Sequence, residues 1–441
     1  LGVVRVSARA VAPAVRAAAP GVVALGRAQV QTTPGAMADV FQAVNLQPGA
    51  TRATEGSDVY TRGGDPAETP VYLDGGRMLA AARFEGLDGG LFGVFDPAVL
   101  RGARFLTGGF GARWGNALSG VLDLETEGRT RERRARLGAS TVQGAATLRA
   151  PLGRAPASAW GTARAANAGA LLRMHGRQGE FTAAPWSLEL LGGAVAEPRP
   201  GAELRADVLV ARDASTRRVD AGGLLAPFRA SGDTRLLVLA GRTILPRAPV
   251  LVRGNLAASE RATGFAFGVL ARDRRERSGV ARVDADWTPD ARVTVRAGVE
   301  GAALARREVG RVPTTPCLDP GAPATLLAGR TRAADHLGAY AEGAVALRPA
   351  LTLEGGARVD RLPGEAEATL DPRVALAWRH GAWTARAAGG LYHQGRWRAL
   401  DAVPDAGVPS HVPTRAAHLV AGVERDGALR WRAEAYRKRY G

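Results

Sequence analysis

The chain has 441 residues and a formal net charge of +17, because 59 Lys plus Arg oppose 42 Asp plus Glu. Its 46% hydrophobic and 23% charged residues are close to the averages of globular proteins, which excludes a wholly disordered chain. The single cysteine, Cys317, excludes an internal disulfide bond and a metal site built from cysteines.

The basic excess consists almost entirely of arginine, since Lys438 is the only lysine. A charge of +17 taken alone suggests a nucleic-acid ligand, but we interpret it first as a compositional preference for arginine. No stretch approaches the roughly 18 uninterrupted apolar residues of a membrane-spanning helix. A bundle of such helices is therefore excluded.

The first predicted element is a flexible segment over residues 1–19. Residues 1–26 carry arginines ahead of a short apolar run, as a signal peptide does, but Pro20 and Gly21 interrupt that run. The chain also starts without methionine. We therefore expect that the natural N-terminus is missing from this sequence.

A short helix is predicted over residues 36–46. Apolar residues follow Asp39 at helical spacing, and the Pro-Gly pair at 48–49 is a stop signal. Glycine, aspartate and proline punctuate the neighbouring segments, which indicates a module of mixed α and β structure up to about residue 127.

From about residue 130, apolar and polar residues alternate over short segments, which predicts β-strands. In the five clearest segments the charged residues share one parity and the apolar residues take the other. These segments are 202–210, 280–287, 292–300, 351–360 and 429–435. We count about 14 or 15 antiparallel strands in this region. Residues 236–240 depart from the pattern, because they are continuously apolar.

One charged face and one apolar face have two physical explanations. A soluble sandwich or barrel buries the apolar face and exposes the charges to water. A membrane barrel does the reverse, with apolar residues against lipid and charges in a wet lumen. Alternation alone does not separate the two, although a coat of alanine, glycine and valine with occasional tryptophan is thin for a soluble core.

Turn signals favour antiparallel neighbours with connections of unequal length. His380-Gly381, Asp426-Gly427 and residues 348–350 are predicted tight turns, whereas residues 308–334 and 396–413 are predicted large loops. Short turns at one end and long loops at the other are typical of outer-membrane barrels.

Two segments of the N-terminal module carry a family resemblance. Residues 60–75, and residues 107–124 with Phe95-Asp96-Pro97 before them, resemble the central and terminal signatures of the plug domain of TonB-dependent outer-membrane receptors. Weaker similarity continues through residues 353–360, 371–376 and 434–440.

The resemblance implies a membrane all-β barrel, antiparallel, with an N-terminal α+β plug domain inside its lumen. It divides the chain into a flexible segment at 1–19, a plug at 20–127 and an incomplete barrel at 128–441. Residues 1–8 would be the remnant of the box that contacts the TonB-type energy-coupling protein. The barrels of this family have 22 strands, so we expect a chain that continues past Gly441.

The implied function is a receptor and transporter, not an enzyme, in the outer membrane of a Gram-negative cell. It would bind a siderophore, cobalamin, metal chelate or carbohydrate outside and import it to the periplasm by energised plug movement. Its partners would be the coupling protein, outer-membrane lipid and this small ligand. The residues carried over as the plug motif are Arg62, Gly63, Gly64, Asp65, Glu68, Thr69, Asp74, Gly75, Gly108, Gly109, Arg113, Gly115, Ser119 and Gly120.

The chemistry of this motif suits a plug. Paired glycines permit positive φ and close backbone approach where a small sheet turns in a confined lumen. Arg62 and Arg113 are bidentate donors whose expected partners are Glu68, Asp74 or carboxylates on the barrel. The Arg-Gly-Gly-Asp fragment in isolation is more often an ordinary turn with a solvated salt bridge.

Other motifs indicate no chemistry. His411 and His418 have no spacing for a shared metal, and Ser119 lies in no nucleophile motif, so we expect no catalytic residue, metal or cofactor. The arginine-rich segments 129–136 and 272–277 contain acids and adjoin strands, which favours strand-end clusters over nucleic-acid patches. The alternatives left open are a soluble basic β-scaffold that binds nucleic acid, and a barrel used only for adhesion or signalling.

Overall fold

The computed structural model describes residues 20–51, 57–83, 92–221, 224–315, 322–362, 367–395, 415–429 and 431–441. The elements of the N-terminal part are β1 (Val22–Gly26), α1 (Arg27–Thr32), α2 (Val40–Asn45), β2 (Ala50–Thr51), β3 (Tyr60–Thr61), β4 (Val71–Leu73), β5 (Gly76–Arg77), β6 (Ala82–Arg83), β7 (Phe92–Gly93), β8 (Leu100–Leu106) and β9 (Val121–Thr126). They form a five-stranded sheet in the order β1-β8-β9-β4-β5 and two additional two-stranded sheets, β2-β3 and β6-β7.

The predicted helix at 36–46 is confirmed in type but is shorter. Met37 and Ala38 adopt φ values of 50° and 53°, which are not helical. Asp39 then caps α2, because its side chain accepts hydrogen bonds from the backbone N–H groups of Phe41 and Gln42 at 2.9 and 3.1 Å. The cap therefore fixes the start of the helix.

The remainder of the chain forms one 15-stranded sheet in which sequence neighbours pair in order. This agrees with the predicted strand number, and every pairing in the sheet is antiparallel. The strands are β10 (Arg134–Ala139), β11 (Gln143–Pro151), β12 (Ala157–Asn167), β13 (Phe181–Arg199), β14 (Ala202–Ala221), β15 (Leu224–Ile244), β16 (Val250–Phe267), β17 (Leu270–Trp287), β18 (Val293–Pro313), β19 (Ala324–Arg348), β20 (Leu351–Arg361), β21 (Thr369–His380), β22 (Trp383–His393), β23 (Arg415–Arg425) and β24 (Trp431–Tyr440). A short helix, α3 (Gly169–Met174), lies between β12 and β13.

The connections agree with the prediction only in part, because two-residue turns occur at both ends of the sheet, including one between Phe267 and Leu270 at the end that has the α3 connection. Two-residue turns join His380 to Trp383 and Arg348 to Leu351 at one end. The connection after β12, which contains α3, lies at the other end. We refer to these as the short-turn end and the long-loop end.

Two predicted connections need comment. The predicted loop at 308–334 is wrong, because β18 continues to Pro313 and β19 already begins at Ala324. Adjacent charged residues obscure the alternation there, while strand pairing and an ion pair between Glu308 and Arg272 extend the ladder. The turn after Asp426 is longer than predicted, since β24 starts at Trp431. The predicted loop at 396–413 lies outside the described residues.

The two faces of the sheet are assigned by β17. Arg282 and Asp284 are only 3% and 2% exposed, whereas Val283 and Trp287 are 51% and 49% exposed. The charges face inward and the apolar side chains face outward, which inverts a soluble protein and matches a membrane barrel. Over residues 280–287 the charged face is therefore the enclosed one, although Arg275 and Arg277 earlier in β17 are exposed on the outer face.

The inner face encloses the N-terminal part. Leu236 and Val238, from the continuously apolar run, point inward and join its hydrophobic core, while Leu237 and Leu239 point outward. An apolar patch on the inner wall therefore packs against this N-terminal part, residues 20–127, which we call the small sheet. Among the described residues, no helix is long and apolar enough to cross a membrane.

Candidate functional site

Arg62 anchors the small sheet to the last strand of the large one. Its Nη2 donates to Glu434 Oε2 on β24 and to Thr107 Oγ1, both at 2.9 Å, and its guanidinium lies 4.7 Å from the centre of the Tyr436 ring. Burial lowers the pKa of Arg62, and Glu434 opposes that effect. The partner of Arg62 is therefore a carboxylate of the large sheet, one of the predicted possibilities, and not Glu68.

Arg113 makes a similar contact with another strand, β17. Its Nη2 lies 3.4 Å from Asp284 Oδ2 on β17. Its own carbonyl accepts from Arg282 at 3.3 Å and from Arg358 at 3.4 Å. Burial lowers the pKa of Arg113, against the attraction of Asp284. Since two strands, β17 and β20, contact this one residue, the second motif segment is fixed in position.

Asp74 is the third contact between the two parts. Its carboxylate accepts from Arg205 Nη1 on β14 at 3.0 Å and from Thr126 Oγ1 at 2.7 Å, and its carbonyl accepts from Asn255 Nδ2 at 2.9 Å. Burial raises the pKa of Asp74, while Arg205 opposes the shift. Asp74 and Gly75 have φ values of 48° and 84°, as the tight hairpin between β4 and β5 requires.

The only lysine of the chain also contacts the motif. Lys438 Nζ on β24 donates to Glu68 at 2.9 Å, and the Tyr440 hydroxyl donates to the same carboxylate at 2.7 Å. Ser119 donates to Glu68 as well and accepts from Lys438. A Cβ on Gly64 would overlap the side chains of Ser119, Glu68 and Lys438, so only a glycine at this position leaves room for their contacts.

The remaining motif residues shape the backbone. Asp65 caps the 3₁₀ turn at 66–68, and the Thr69 and Thr61 hydroxyls lie 2.9 Å apart. Three glycines adopt positive φ: 76° at Gly63, 128° at Gly108 and 65° at Gly109. Gly120 lies close to a neighbouring strand, because a Cβ there would be 2.7 Å from the carbonyl oxygen of Leu106. Gly115 makes room for Arg358, since a Cβ there would meet its guanidinium.

Sequence reasoning missed several contacts of the same kind. Arg83 Nη1 donates to Glu189 at 2.6 Å, and Arg373 Nη1 donates to the carbonyls of Gly111 and Trp114 at 2.6 and 2.7 Å. Glu342 accepts from the N–H of Ala112 at 2.7 Å. The inward parity of the strand residues was the available signal, but it does not say which of them meet the small sheet.

A cavity of about 470 Å³ opens between the small sheet and β16–β19, in the halves of those strands nearer the long-loop end. Tyr60, Asp65 and Arg77 line it from the small sheet. The strands contribute the inward-facing side chains Arg261, Arg274, Glu276, Arg306 and His336. The arginine-rich segment 272–277 is thus a strand-end cluster that supplies one wall.

A second cavity of about 310 Å³ lies nearer the short-turn end of the sheet. It is lined by Asp74, Gly75 and Arg113 and by inward residues of β14–β18. The hairpin of β4 and β5 separates the two cavities, because Val71 and Arg77 line the first and Asp74 and Gly75 line the second. This hairpin is pressed against the wall: a Cβ on Gly76 would lie 2.6 Å from Val238 Cγ2.

Of the two histidines considered for a metal, His411 lies outside the described residues. His418 is buried, and its ring centre lies 4.3 Å from that of Tyr392. In the described part of the chain, no group of three or more His, Cys, Asp or Glu is arranged to hold a metal ion. Ser119 contacts Glu68 and Lys438 only as described above.

The sequence matches no family model and no curated protein. Solved structures match over nearly the whole chain. A mutant of the ferric enterobactin receptor PfeA from Pseudomonas aeruginosa has a TM-score of 0.71 at 13% identity, over 96% of this chain and 71% of that one. The siderophore receptor PirA from the same species has a TM-score of 0.67 at 14% identity, over 95% of this chain and 74% of that one. The outer membrane transporter YddB from Escherichia coli has a TM-score of 0.67 at 11% identity, over 95% of this chain and 69% of that one. The chain thus has the fold of TonB-dependent receptors, a barrel sheet around an internal plug.

Proposed function

We propose that this chain is part of an outer-membrane receptor that binds an anionic metal chelate of the ferric-siderophore class and releases it on the other side through energised plug movement. One observation carries the proposal: a cavity between plug and barrel, at the long-loop end, is walled by Arg77, Arg261, Arg274 and Arg306. The chain acts in this proposal as a transporter and receptor, without a catalytic step.

The domain assignment follows from the same proposal. Residues 20–127 are the plug and residues 128–441 the barrel part, while residues 1–19 precede the plug and include the proposed box for a TonB-type protein. That box lies outside the described residues. The plug motif residues act as anchors, because they contact three strands of the barrel wall. Arg62 and Glu68 contact β24, Asp74 contacts β14 and Arg113 contacts β17.

The charge of the cavity favours one ligand class over the others. Four arginines face Asp58, Asp65 and Glu276 there, so the wall suits an anion better than a neutral carbohydrate. Solved structures with this fold are described as receptors for ferric enterobactin and for siderophores. Cobalamin and carbohydrate remain as the alternatives that a binding assay distinguishes.

The movement proposed for import concerns the β4–β5 hairpin. It stands between the two cavities on one wall, so its displacement would join them into a passage. Polar contacts help to hold it, including those of Asp74 with Arg205 and Asn255, beside the apolar packing of Gly76 against Val238. Buried polar pairs of this kind specify position more than they stabilise, which suits a plug that has to seat and then yield.

Ligand binding tests the proposal directly. Replacement of Arg306 with serine should raise the Kd for an anionic ferric catecholate at least tenfold, because it removes a buried cation from the cavity wall. Arg242→Ser is the matched control, since Arg242 lines the second cavity at the short-turn end. Binding is measured by ligand-induced fluorescence quenching of the detergent-solubilised protein, and heat-dependent electrophoretic mobility confirms that both variants are folded.

Three results count against the proposal. Equal affinities of Arg306→Ser and Arg242→Ser would remove the cavity as the site. Binding of cobalamin or a neutral sugar in preference to every ferric chelate would remove the ligand class. Fractionation of the protein away from outer membranes would contradict the proposed outer-membrane location.

A further inference from the structure

Asp207 on β14 carries a buried carboxyl group in an apolar setting. The residue is 1% exposed, and Gly193 and Val238 lie directly opposite it on the two neighbouring strands. A Cβ on Gly193 would overlap both the Asp207 carboxyl and the ring of Trp160, so the carboxyl is packed close to that ring. Burial of this kind disfavours the charged form of a carboxyl group. The charge of Asp207 therefore needs either a nearby donor or a proton.

Donors for this carboxyl are scarce. No described residue donates a hydrogen bond to Asp207 Oδ2. Asp207 Oδ1 lies 3.4 Å from Thr126 Oγ1, but Asp74 Oδ2 is much closer to the same hydroxyl, at 2.7 Å. A hydroxyl has one proton to donate, and the shorter contact takes it. Asp207 is thus left without a strong donor among the described residues.

The cations near Asp207 are already shared by other carboxylates. Arg205 lies 3.0 Å from Asp74 and 3.5 Å from Glu203, and Arg242 lies 2.7 Å from Glu203. Two arginines therefore face three carboxyl groups, and one negative charge is in excess. The other charged groups on the elements packed around this cluster pair among themselves: Arg101 and Arg104 with Asp123 and Glu125 on β8 and β9, and Arg253 with Asp286 on β16 and β17.

The carboxyl groups of Asp74 and Asp207 lie within hydrogen-bonding reach of each other, one on the plug hairpin and one on the barrel wall. Two buried carboxylates this close repel, and a proton held between them removes the repulsion. We propose that Asp74 and Asp207 form a proton-binding site, in which one shared proton joins the β4–β5 hairpin to β14. The pair then carries a single negative charge, which Arg205 neutralises.

The shared proton makes the position of the hairpin depend on pH. When the hairpin leaves the wall, water reaches both carboxyl groups, the proton passes to the solvent and both groups are ionised. The closed state thus binds one proton more than the open state. A rise in pH therefore favours opening, by up to about tenfold in the equilibrium for each pH unit. This role deepens the proposed transport and rests on the hairpin movement proposed there.

Infrared difference spectroscopy of the full chain in an ester-free detergent tests for the proton directly. The C=O stretch of a protonated carboxyl group is separate from the bands of carboxylates. We expect such a band in the unaltered chain at neutral pH and its loss in Asp207→Asn. Glu203→Gln is the matched control, because Glu203 is an inward residue of the same strand that already accepts from Arg242, and it should keep the band. Persistence of the full band in Asp207→Asn would overturn the site.

A second measurement tests the effect on the hairpin. The urea midpoint for tryptic cleavage within the plug is measured in mildly acidic and in mildly alkaline buffer, with each variant compared with the unaltered chain at the same pH. The midpoint should fall with rising pH more steeply in the unaltered chain and in Glu203→Gln than in Asp207→Asn. The asparagine amide still donates to Asp74 but does not titrate. Equal pH dependence in all three proteins would overturn the proposed role of the proton.

The outcome is separable from that of the transport proposal, because both measurements are made without a chelate. Loss of chelate binding with the carboxyl band present would contradict the proposed ligand alone. Retained chelate binding with no carboxyl band in the unaltered chain would contradict this inference alone.

Discussion

At the scale of single residues, the contacts between plug and barrel are buried pairs that join distant parts of the sequence. Arg62 and Glu434 are only 4% and 14% exposed at their side chains. Removal of one partner leaves the other charge buried without compensation, which costs more than the intact pair contributes. These pairs therefore favour a single position and orientation of the plug within the barrel.

A double-mutant cycle on Arg62→Ala and Glu434→Ala should give a coupling free energy of about 1–3 kcal/mol for plug docking. The measurement is the urea dependence of tryptic cleavage within residues 20–127 of the folded protein. Arg212 and Asp233 provide the control, because their side chains are 56% and 25% exposed on the outer face, and their coupling should stay below about 1 kcal/mol. A coupling for Arg62 and Glu434 no larger than that of the control would contradict the seating role.

At the scale of elements, each strand carries two environments on alternate residues. In β17 the outward positions from Gly279 to Trp287 are apolar, and the next outward positions, Arg277 and Arg275, are charged. Such a band is close to the roughly 9–11 residues with which a tilted strand crosses a bilayer. The change from apolar to charged residues on one face therefore locates the upper membrane boundary.

Val283 lies in the middle of this band and is 51% exposed. Val283→Arg should destabilise the barrel folded in lipid vesicles by about 2–4 kcal/mol, because an arginine at mid-depth faces hydrocarbon. Val283→Ala is the matched control and should cost far less. The two variants are compared by denaturant titration in vesicles, and a similar cost for both would show that this face does not contact lipid.

At the scale of the whole molecule, the plug hairpin lies between the two cavities along one wall, and in our proposal it closes a passage between them. An ideal Cβ on Gly75 lies 3.9 Å from the Cβ of Asn255, within the range of a disulfide bond. In a Cys317→Ser background, Gly75→Cys/Asn255→Cys should therefore tether the hairpin to β16. Oxidation should abolish uptake of the ferric chelate by cells but leave its binding unchanged, and reduction should restore uptake.

The single-cysteine variants are the controls for that experiment, because neither forms a tether. Their uptake should be insensitive to oxidant. Full uptake by the oxidised double variant would mean that the passage does not open at this hairpin.

Local features of the fold could be predicted from the sequence, whereas contacts between distant residues could not. The parity of Arg282, Asp284 and Val283 and the turn at His380-Gly381 are local properties, and the structure confirms the strands and the turn they predict. The loop predicted at 308–334 failed because adjacent charges hide the alternation where strands project beyond the apolar band. The sequence could not identify which carboxylate pairs with Arg62, because Glu434 lies 372 residues away along the chain.

The sequence by itself determined the alternation, the number of strands and the glycine-rich motifs, because each depends on neighbours within a few residues. Only the tertiary structure decided which face meets water, which carboxylate meets each plug arginine, and where cavities remain. Those features arise when the sheet wraps around the plug and brings residues from both ends of the chain into contact. Burial and charge pairing are properties of that enclosed space, and no local pattern encodes them.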